Sequence, residues 1–215
     1  MTVVEPVVPE HTFSEVYSDA LRGESCNVHG PEVDEPLPVH DWVRPVNHAD
    51  RAILAHCRGA TLDIGCGPGR MSAHLAERGH VVLGVDIVRE AVEQARRRGV
   101  SALRRNIFDP LPGEGRWNTV LLADGNIGIG GAPVRLLRRT AELIDHTGRV
   151  VCDLAEPGTG LRHHDARLVT ALKRSGSFPW AKVGPDAIER VAAEAGLSLT
   201  EIGDHRGRWF AVLGR

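Results

Sequence analysis

With 215 residues, 42% of them hydrophobic and 25% charged, the chain has the size and composition of one soluble globular domain with a sizeable core. A formal net charge of −2 leaves no basic excess to displace counterions, which argues against a nucleic-acid partner. No apolar run reaches membrane-spanning length, and the acidic, Pro-rich start has neither a basic n-region nor an apolar h-region, so the expected location is the cytoplasm.

Residues 1–12, with Pro6, Pro9 and several acids, read as a loose arm. Phe13, Val16, Tyr17 and Ala20 stand at helical spacing and predict a short helix over 13–21. Residues 22–47 hold Gly23, Gly30, Pro31, Pro36, Pro38 and Pro45, and no period survives among them; so long an irregular segment in a compact protein is expected to be functional or disordered. A helix over 49–58 then feeds a regular alternation: strand 60–64, helix 69–78, strand 81–85, helix 88–98, strands 101–104 and 117–123, helix 132–145 and strand 148–154. A second break at Glu156-Pro157-Gly158 opens a stretch that runs to about residue 181. Pro185 starts a helix to about Ala195, and strands 198–203 and 208–213 close as an antiparallel pair. This order predicts an α/β fold with a doubly wound, mostly parallel sheet.

The four cysteines, Cys26, Cys57, Cys66 and Cys152, lack metal-ligand spacing and read as reduced thiols, and no metal site is expected. Arginine outnumbers lysine 24 to 2, a codon-level skew that points to a GC-rich bacterial genome.

The most informative stretch is Asp63-Ile64-Gly65-Cys66-Gly67-Pro68-Gly69-Arg70, where an apolar strand passes through alternate glycines into a helix. A second apolar strand, Val81-Val82-Leu83-Gly84-Val85-Asp86, ends on a carboxylate. Glycines let a ligand touch backbone N–H groups at a helix N-terminus, and a strand-end acid takes two ribose hydroxyls, so the pattern builds a nucleoside pocket. A dinucleotide fingerprint counted from Gly65 needs a small residue where Arg70 stands. Asp63 would repel a pyrophosphate but suits a ligand carrying an ammonium group, such as S-adenosylmethionine.

On Asp63, Gly65, Gly67, Gly69, Asp86, the Asn106-Ile107-Phe108 stretch and Leu121-Leu122-Ala123-Asp124-Gly125-Asn126, the chain resembles the class I S-adenosylmethionine-dependent methyltransferases over residues 48–215. The resemblance implies a seven-stranded Rossmann-like sheet with an antiparallel last strand and ligands gathered beyond the strand ends. It implies S-adenosylmethionine as cofactor, S-adenosylhomocysteine as product, and a small-molecule acceptor selected by a lid from residues 1–47 and the 156–181 region. A monomer or homodimer is expected. Aminocarboxypropyl transfer, internal displacement and a non-catalytic S-adenosylmethionine-binding module remain alternatives, while Asp63 and Arg70 disfavour an NAD-dependent enzyme.

Asp63 is expected at the methionine ammonium, with Gly65, Cys66, Gly67, Gly69 and Arg70 forming the cofactor loop. Asp86 is expected at the ribose. Ile87, Asn106, Ile107 and Phe108 are expected around the adenine, with Asn106 standing where the family often has Asp. Ala123, Asp124 and Gly125 are placed beside the methyl donor. Candidate acceptor contacts are Tyr17, Trp42, Arg44, Asn126, His163, His164, Phe178 and Trp180; Arg44 alternatively pairs with the methionine carboxylate or stands on a solvated turn. Asp124 and His40 are the leading candidates for a base, with His163 and His164 behind them.

Overall fold

The computed structural model describes residues 10–31 and 33–215. In chain order the elements are β1 (Glu10–His11), α1 (Phe13–Leu21), β2 (Cys26–Gly30), β3 (Val33–Pro36), α2 (Val39–Val43), α3 (His48–Leu54), β4 (Thr61–Ile64), α4 (Arg70–Glu77), β5 (Val82–Asp86), α5 (Arg89–Arg97), β6 (Ala102–Arg104) and β7 (Trp117–Leu122). There follow α6 (Pro133–Leu143), β8 (Ile144–Leu154), β9 (Leu161–Thr170), β10 (Arg174–Ser175), β11 (Phe178–Val183), α7 (Pro185–Glu194), β12 (Ser198–His205) and β13 (Arg208–Gly214).

One sheet has seven strands in the order β12-β13-β8-β7-β4-β5-β6. Strands β8, β7, β4, β5 and β6 pair in parallel, and β13 slots antiparallel between β8 and β12. Alternate residues on these strands point to opposite faces, and both faces are apolar because both carry helices. Leu62, Val120, Leu122, Val150 and Cys152 pack with Leu136 and Leu137 of α6 and with Ile188 and Val191 of α7. On the opposite face, Leu121, Ala123, Val151 and Val212 pack with Ile53 and Leu54 of α3 and with Met71 and Leu75 of α4. The helix starts follow from local chemistry. Thr12 with Glu15 and Asn47 with Asp50 form capping boxes for α1 and α3, and Pro133 and Pro185 open α6 and α7.

A second, six-stranded sheet corrects the sequence reading. The 22–47 stretch, read as irregular, contains β2, β3 and α2, and the break after Glu156 contains β9, β10 and β11. These two segments build one sheet. Along β9, residues 161–166 pair with β11 and residues 167–170 pair with β2, which in turn pairs with β3. Of the arm expected over residues 1–12, residues 1–9 lie outside the described residues, and Glu10–His11 pair in parallel with β10. Helix α1 joins the two sheets. Val16 and Ala20 pack with Leu168 of β9, Leu21 packs with Ala91 of α5, and the Arg22 guanidinium meets the Glu90 carboxylate at 2.9 Å.

Candidate active site

A cavity of about 520 Å³ opens between the carboxyl ends of the parallel strands and the inner face of the second sheet. Its lining includes Asp63, Gly65, Cys66, Gly67, Arg70, Asp86, Ile87, Asn106, Ile107, Phe108, Ala123, Asp124 and Asn126 from the first half, and Tyr17, Trp42, His164, Phe178 and Trp180 from the second.

The glycine loop leaves β4 with Gly65 at φ +68 and reaches α4 through Gly69 at φ +84, both in the left-handed region. A Cβ on Gly65 would lie 2.7 Å from the Asn126 amide nitrogen, so glycine is required where the two loops meet. That amide donates to the carbonyls of Ile64 and Gly65, at 2.9 Å each, tying the turn after β7 to the loop after β4. Gly69 has a different role. It lies off the cavity, and a Cβ there would sit 2.9 Å from Ala95, so this glycine lets α4 pack on α5.

Asp86 ends β5 with one oxygen accepting the Gly67 N–H at 3.0 Å and the other accepting the Val88 N–H at 2.8 Å. It thereby braces the glycine loop and the start of α5, while a carboxylate keeps further acceptor positions for ligand hydroxyls. Burial raises its pKa, partly offset by those N–H donors. Asp63 is buried under the loop, where Ser72 donates to it at 2.6 Å. Burial first, with added repulsion from Asp124 and Asp86, pushes its pKa to about 7. Cys66 is a buried thiol whose pKa burial drives well above the usual range, which makes it inert.

Asn106 uses its side-chain oxygen to accept from the Phe108 N–H at 3.0 Å, closing its own turn; its amide nitrogen and the second lone pair of that oxygen are left for a ligand. The Phe108 ring is stacked under Arg135, 4.2 Å from its guanidinium carbon.

Several expected residues fall elsewhere. His40 is 83% exposed, faces Asp41 at 3.4 Å and does not line the cavity, a position that gives a base role no support. His163 also lies off the cavity, with Nδ1 2.7 Å from the Gly131 carbonyl, whereas its neighbour His164 lines it. Arg44 is engaged by Asp41 at 3.1 Å and by Asp50 at 2.6 Å and is not a cavity residue, so neither its cofactor nor its acceptor reading fits. Gly125 takes φ +80 beside the cavity without lining it.

Asp124, the other expected base, is held by two arginines. Arg70 reaches it at 2.7 Å and Arg208 at 2.8 Å, and its backbone has φ +52, a left-handed geometry that Asp tolerates. A carboxylate so engaged anchors the turn after β7 to Arg70 and Arg208. Beneath it, Arg44, Arg70 and Arg208 converge on the fully buried Asp50, while Arg208 also grips Asp153, 3.0 Å from its Nε. Burial alone would raise the Asp50 pKa, but the Arg44 and Arg70 guanidiniums outweigh it and hold the group well below the usual carboxylate range.

Sequence reasoning missed Phe13, Glu35, Leu168 and Lys182 in the cavity wall and the Asp50–Arg208–Asp153 cluster. Phe13 had a signal, standing one helical turn before Tyr17. Asp153 had one as well, a carboxylate at the end of the apolar run Val150-Val151-Cys152. Asp50 and Arg208 meet only through the fold.

Residues 61–148 match a family model described as a methyltransferase domain. The whole fold is similar to that of an S-adenosylmethionine-dependent methyltransferase from Bacteroides fragilis solved with S-adenosyl-L-homocysteine, with 22% identity, a TM-score of 0.77, and 93% of this chain and 92% of that one covered. It is similar also to the 1,6-didemethyltoxoflavin-N1-methyltransferase of Burkholderia thailandensis, with 20% identity, a TM-score of 0.60 and coverage of 98% and 91%. A sugar N-methyltransferase from a Streptoalloteichus species matches with 19% identity, a TM-score of 0.60 and coverage of 100% and 99%.

Proposed function

We propose that the chain is a class I S-adenosylmethionine-dependent methyltransferase that methylates a small-molecule acceptor seated between its two sheets. The observation that carries this reading is the juxtaposition of the glycine loop, braced by Asp86, with an aromatic chamber on the other side of Asp124 and Asn126. The similar proteins point the same way: the Burkholderia enzyme was solved with 1,6-didemethyltoxoflavin and S-adenosylhomocysteine, and the Streptoalloteichus enzyme acts on a sugar.

The residues present fit this cofactor. A Cβ at Gly65 would close the loop against Asn126, and the buried Asp63 carboxylate suits a cationic partner. In this reading Asp63 meets the methionine ammonium, Asp86 the ribose hydroxyls, and Ile87, Asn106, Ile107 and Phe108 the adenine. When bound, S-adenosylmethionine supplies a methyl group already activated as an electrophile. The protein's own task is then alignment and exclusion of water. Asn126 locks the two loops together, Asp124 is fixed by Arg70 and Arg208, and α1 with the second sheet forms the roof. For an acceptor that arrives protonated, His164 is the proposed proton acceptor, because it lines the cavity where His40 and His163 do not. Residues 10–47 and 161–183 together act as the acceptor-selecting cover. We place the protein in the cytoplasm, as a monomer or homodimer without a nucleic-acid partner; among the described residues no helix is long and apolar enough to span a membrane.

The test is incubation with methyl-labelled S-adenosylmethionine and a metabolite extract of the encoding organism. The expected result is S-adenosylhomocysteine with the label in a low-mass product. Release of methylthioadenosine would instead establish cleavage at the aminocarboxypropyl group, by transfer where that group appears on an acceptor and by internal displacement where it appears as a lactone, and tight binding without turnover would establish a non-catalytic module.

A further inference from the structure

The chain contains nine aromatic residues, and six of them line this one cavity. Phe108 belongs to the cofactor side. The other five form a continuous series drawn from α2, α1 and β11. Trp42 lies 5.8 Å from Tyr17, Tyr17 stacks on Phe13 at 5.3 Å, Phe13 meets Phe178 edge-on at 4.9 Å, and Phe178 meets Trp180 edge-on at 6.4 Å. The series reaches the methyl-donor region at two of its members. Tyr17 lies over the glycine loop, its hydroxyl 3.8 Å from where a Cβ on Gly67 would be, and Trp180 pairs its backbone with Ile129 just beyond Asn126. The sheet face behind the rings adds Val28, Leu37, Ala166 and Leu168.

Polar groups on this side are few. They are His164, the Tyr17 hydroxyl, the indole N–H groups of Trp42 and Trp180, and the well-exposed Glu35 and Lys182, which face each other at 3.9 Å. A polyhydroxylated sugar or an open-chain amino acid would bring more hydrogen-bonding groups than this wall can satisfy, and each unmatched group costs affinity. A flat ring loses little hydration and gains face and edge contacts from successive aromatic side chains.

We propose that the acceptor is a planar aromatic or heteroaromatic molecule, held by the series from Trp42 to Trp180 and methylated at a ring atom or at a heteroatom directly attached to the ring. The proposal rests on the methyl-transfer reading above, and its test separates the two. The labelled product from the metabolite extract is isolated and its chromophore and mass determined. An ultraviolet-absorbing ring compound is the expected result. Label in a sugar, polyol, aliphatic amine or fatty chain overturns the proposal and leaves methyl transfer intact, while absence of label from every small molecule overturns the methyl-transfer reading itself.

Two variants sharpen the result with the acceptor so identified. Trp180→Ala should raise its KM about tenfold or more and change kcat by less than about threefold, since stacking holds the ring without reacting with it. Trp180→Phe should restore most of that loss. Titration of the isolated product into the S-adenosylhomocysteine complex, followed by tryptophan emission, gives a binding readout independent of turnover, with quenching that Trp180→Ala reduces. An unchanged KM in Trp180→Ala, with the variant folded by thermal melting, would also overturn the proposal.

Discussion

The two walls of the cavity are assembled in opposite ways. The cofactor wall is built from strand ends and the loops that follow them, so each group stands within a few residues of the element that aims it: Gly65 after β4, Asp86 at the end of β5, Asn106 after β6 and Asn126 after β7. The aromatic wall exists only because β9 pairs with both β2 and β11, bringing together segments far apart in the chain. The first wall presents backbone N–H groups and carboxylates of fixed geometry; the second presents side-chain surface. One suits a ligand of constant shape, the other a ligand that a few substitutions could change.

Removing residues 1–46, which keeps the Asn47 cap of α3, should break the contrast most sharply. It deletes α1, α2 and three strands of the second sheet, β1, β2 and β3, while leaving all seven strands of the first. Turnover should fall more than about 100-fold and cofactor affinity by less than about tenfold, with a cooperative melt retained. A truncated protein with full turnover would assign acceptor selection to residues 161–183 alone.

Asp86→Ala acts on the opposite wall. Calorimetry should show S-adenosylmethionine binding weakened by about 1–3 kcal/mol, the range for hydrogen bonds to a charged group, with the acceptor KM little changed at saturating cofactor. Unchanged cofactor affinity would remove Asp86 from the ribose.

Protonation sharpens the comparison further, because Asp63 titrates near pH 7 in the ligand-free protein. An ammonium partner favours the carboxylate, so binding below that pH must expel a proton. Affinity should rise about tenfold between about pH 6 and pH 8 and then level off. Stability of the ligand-free protein should run the other way. A folded pKa raised above the unfolded value of 3.8 contributes stability that is full below that value and is lost as pH rises through about 7. Asp63→Asn should flatten both profiles; a pH-independent affinity in the unmodified protein would exclude the ammonium contact.

The smallest effect is expected at His40, which touches neither wall. His40→Ala should leave turnover unchanged and stability within about 0.5 kcal/mol, as for other exposed positions. A large loss of turnover would restore it to the site.

Legibility in the sequence follows the same division. The alternation from 60 to 154 was readable because strands covered on both faces are continuous apolar runs, and the acids ending two of them stand out as carboxylates in hydrophobic surroundings. Strands β2 and β9 were not readable. Cys-Asn-Val-His-Gly and Leu-Arg-His-His-Asp-Ala-Arg-Leu-Val-Thr carry polar residues because much of each strand remains partly or fully exposed, and neighbouring Gly and Pro mimic a loop. Tyr17, Trp42, Phe178 and Trp180 stand as candidate acceptor contacts in the sequence, without any sign there that they adjoin. His40 looked catalytic beside Trp42, yet neighbours on one turn of helix point different ways. The ion pairs of Asp124 were not readable, because its guanidinium partners come from residues 70 and 208.

Arg208 also carries a kinetic consequence. It stands on β13, which enters between β8 and β12, and its guanidinium links Asp50, Asp124 and Asp153. An intermediate with the parallel strands assembled and β13 still outside would hold these carboxylates near one another without that shared cation. The central strands can therefore form before the chamber is ready to work, because the contact of Arg208 with Asp50 closes only across 158 residues of chain. In a refolding time course, the far-ultraviolet signal should recover first and methyl transfer last.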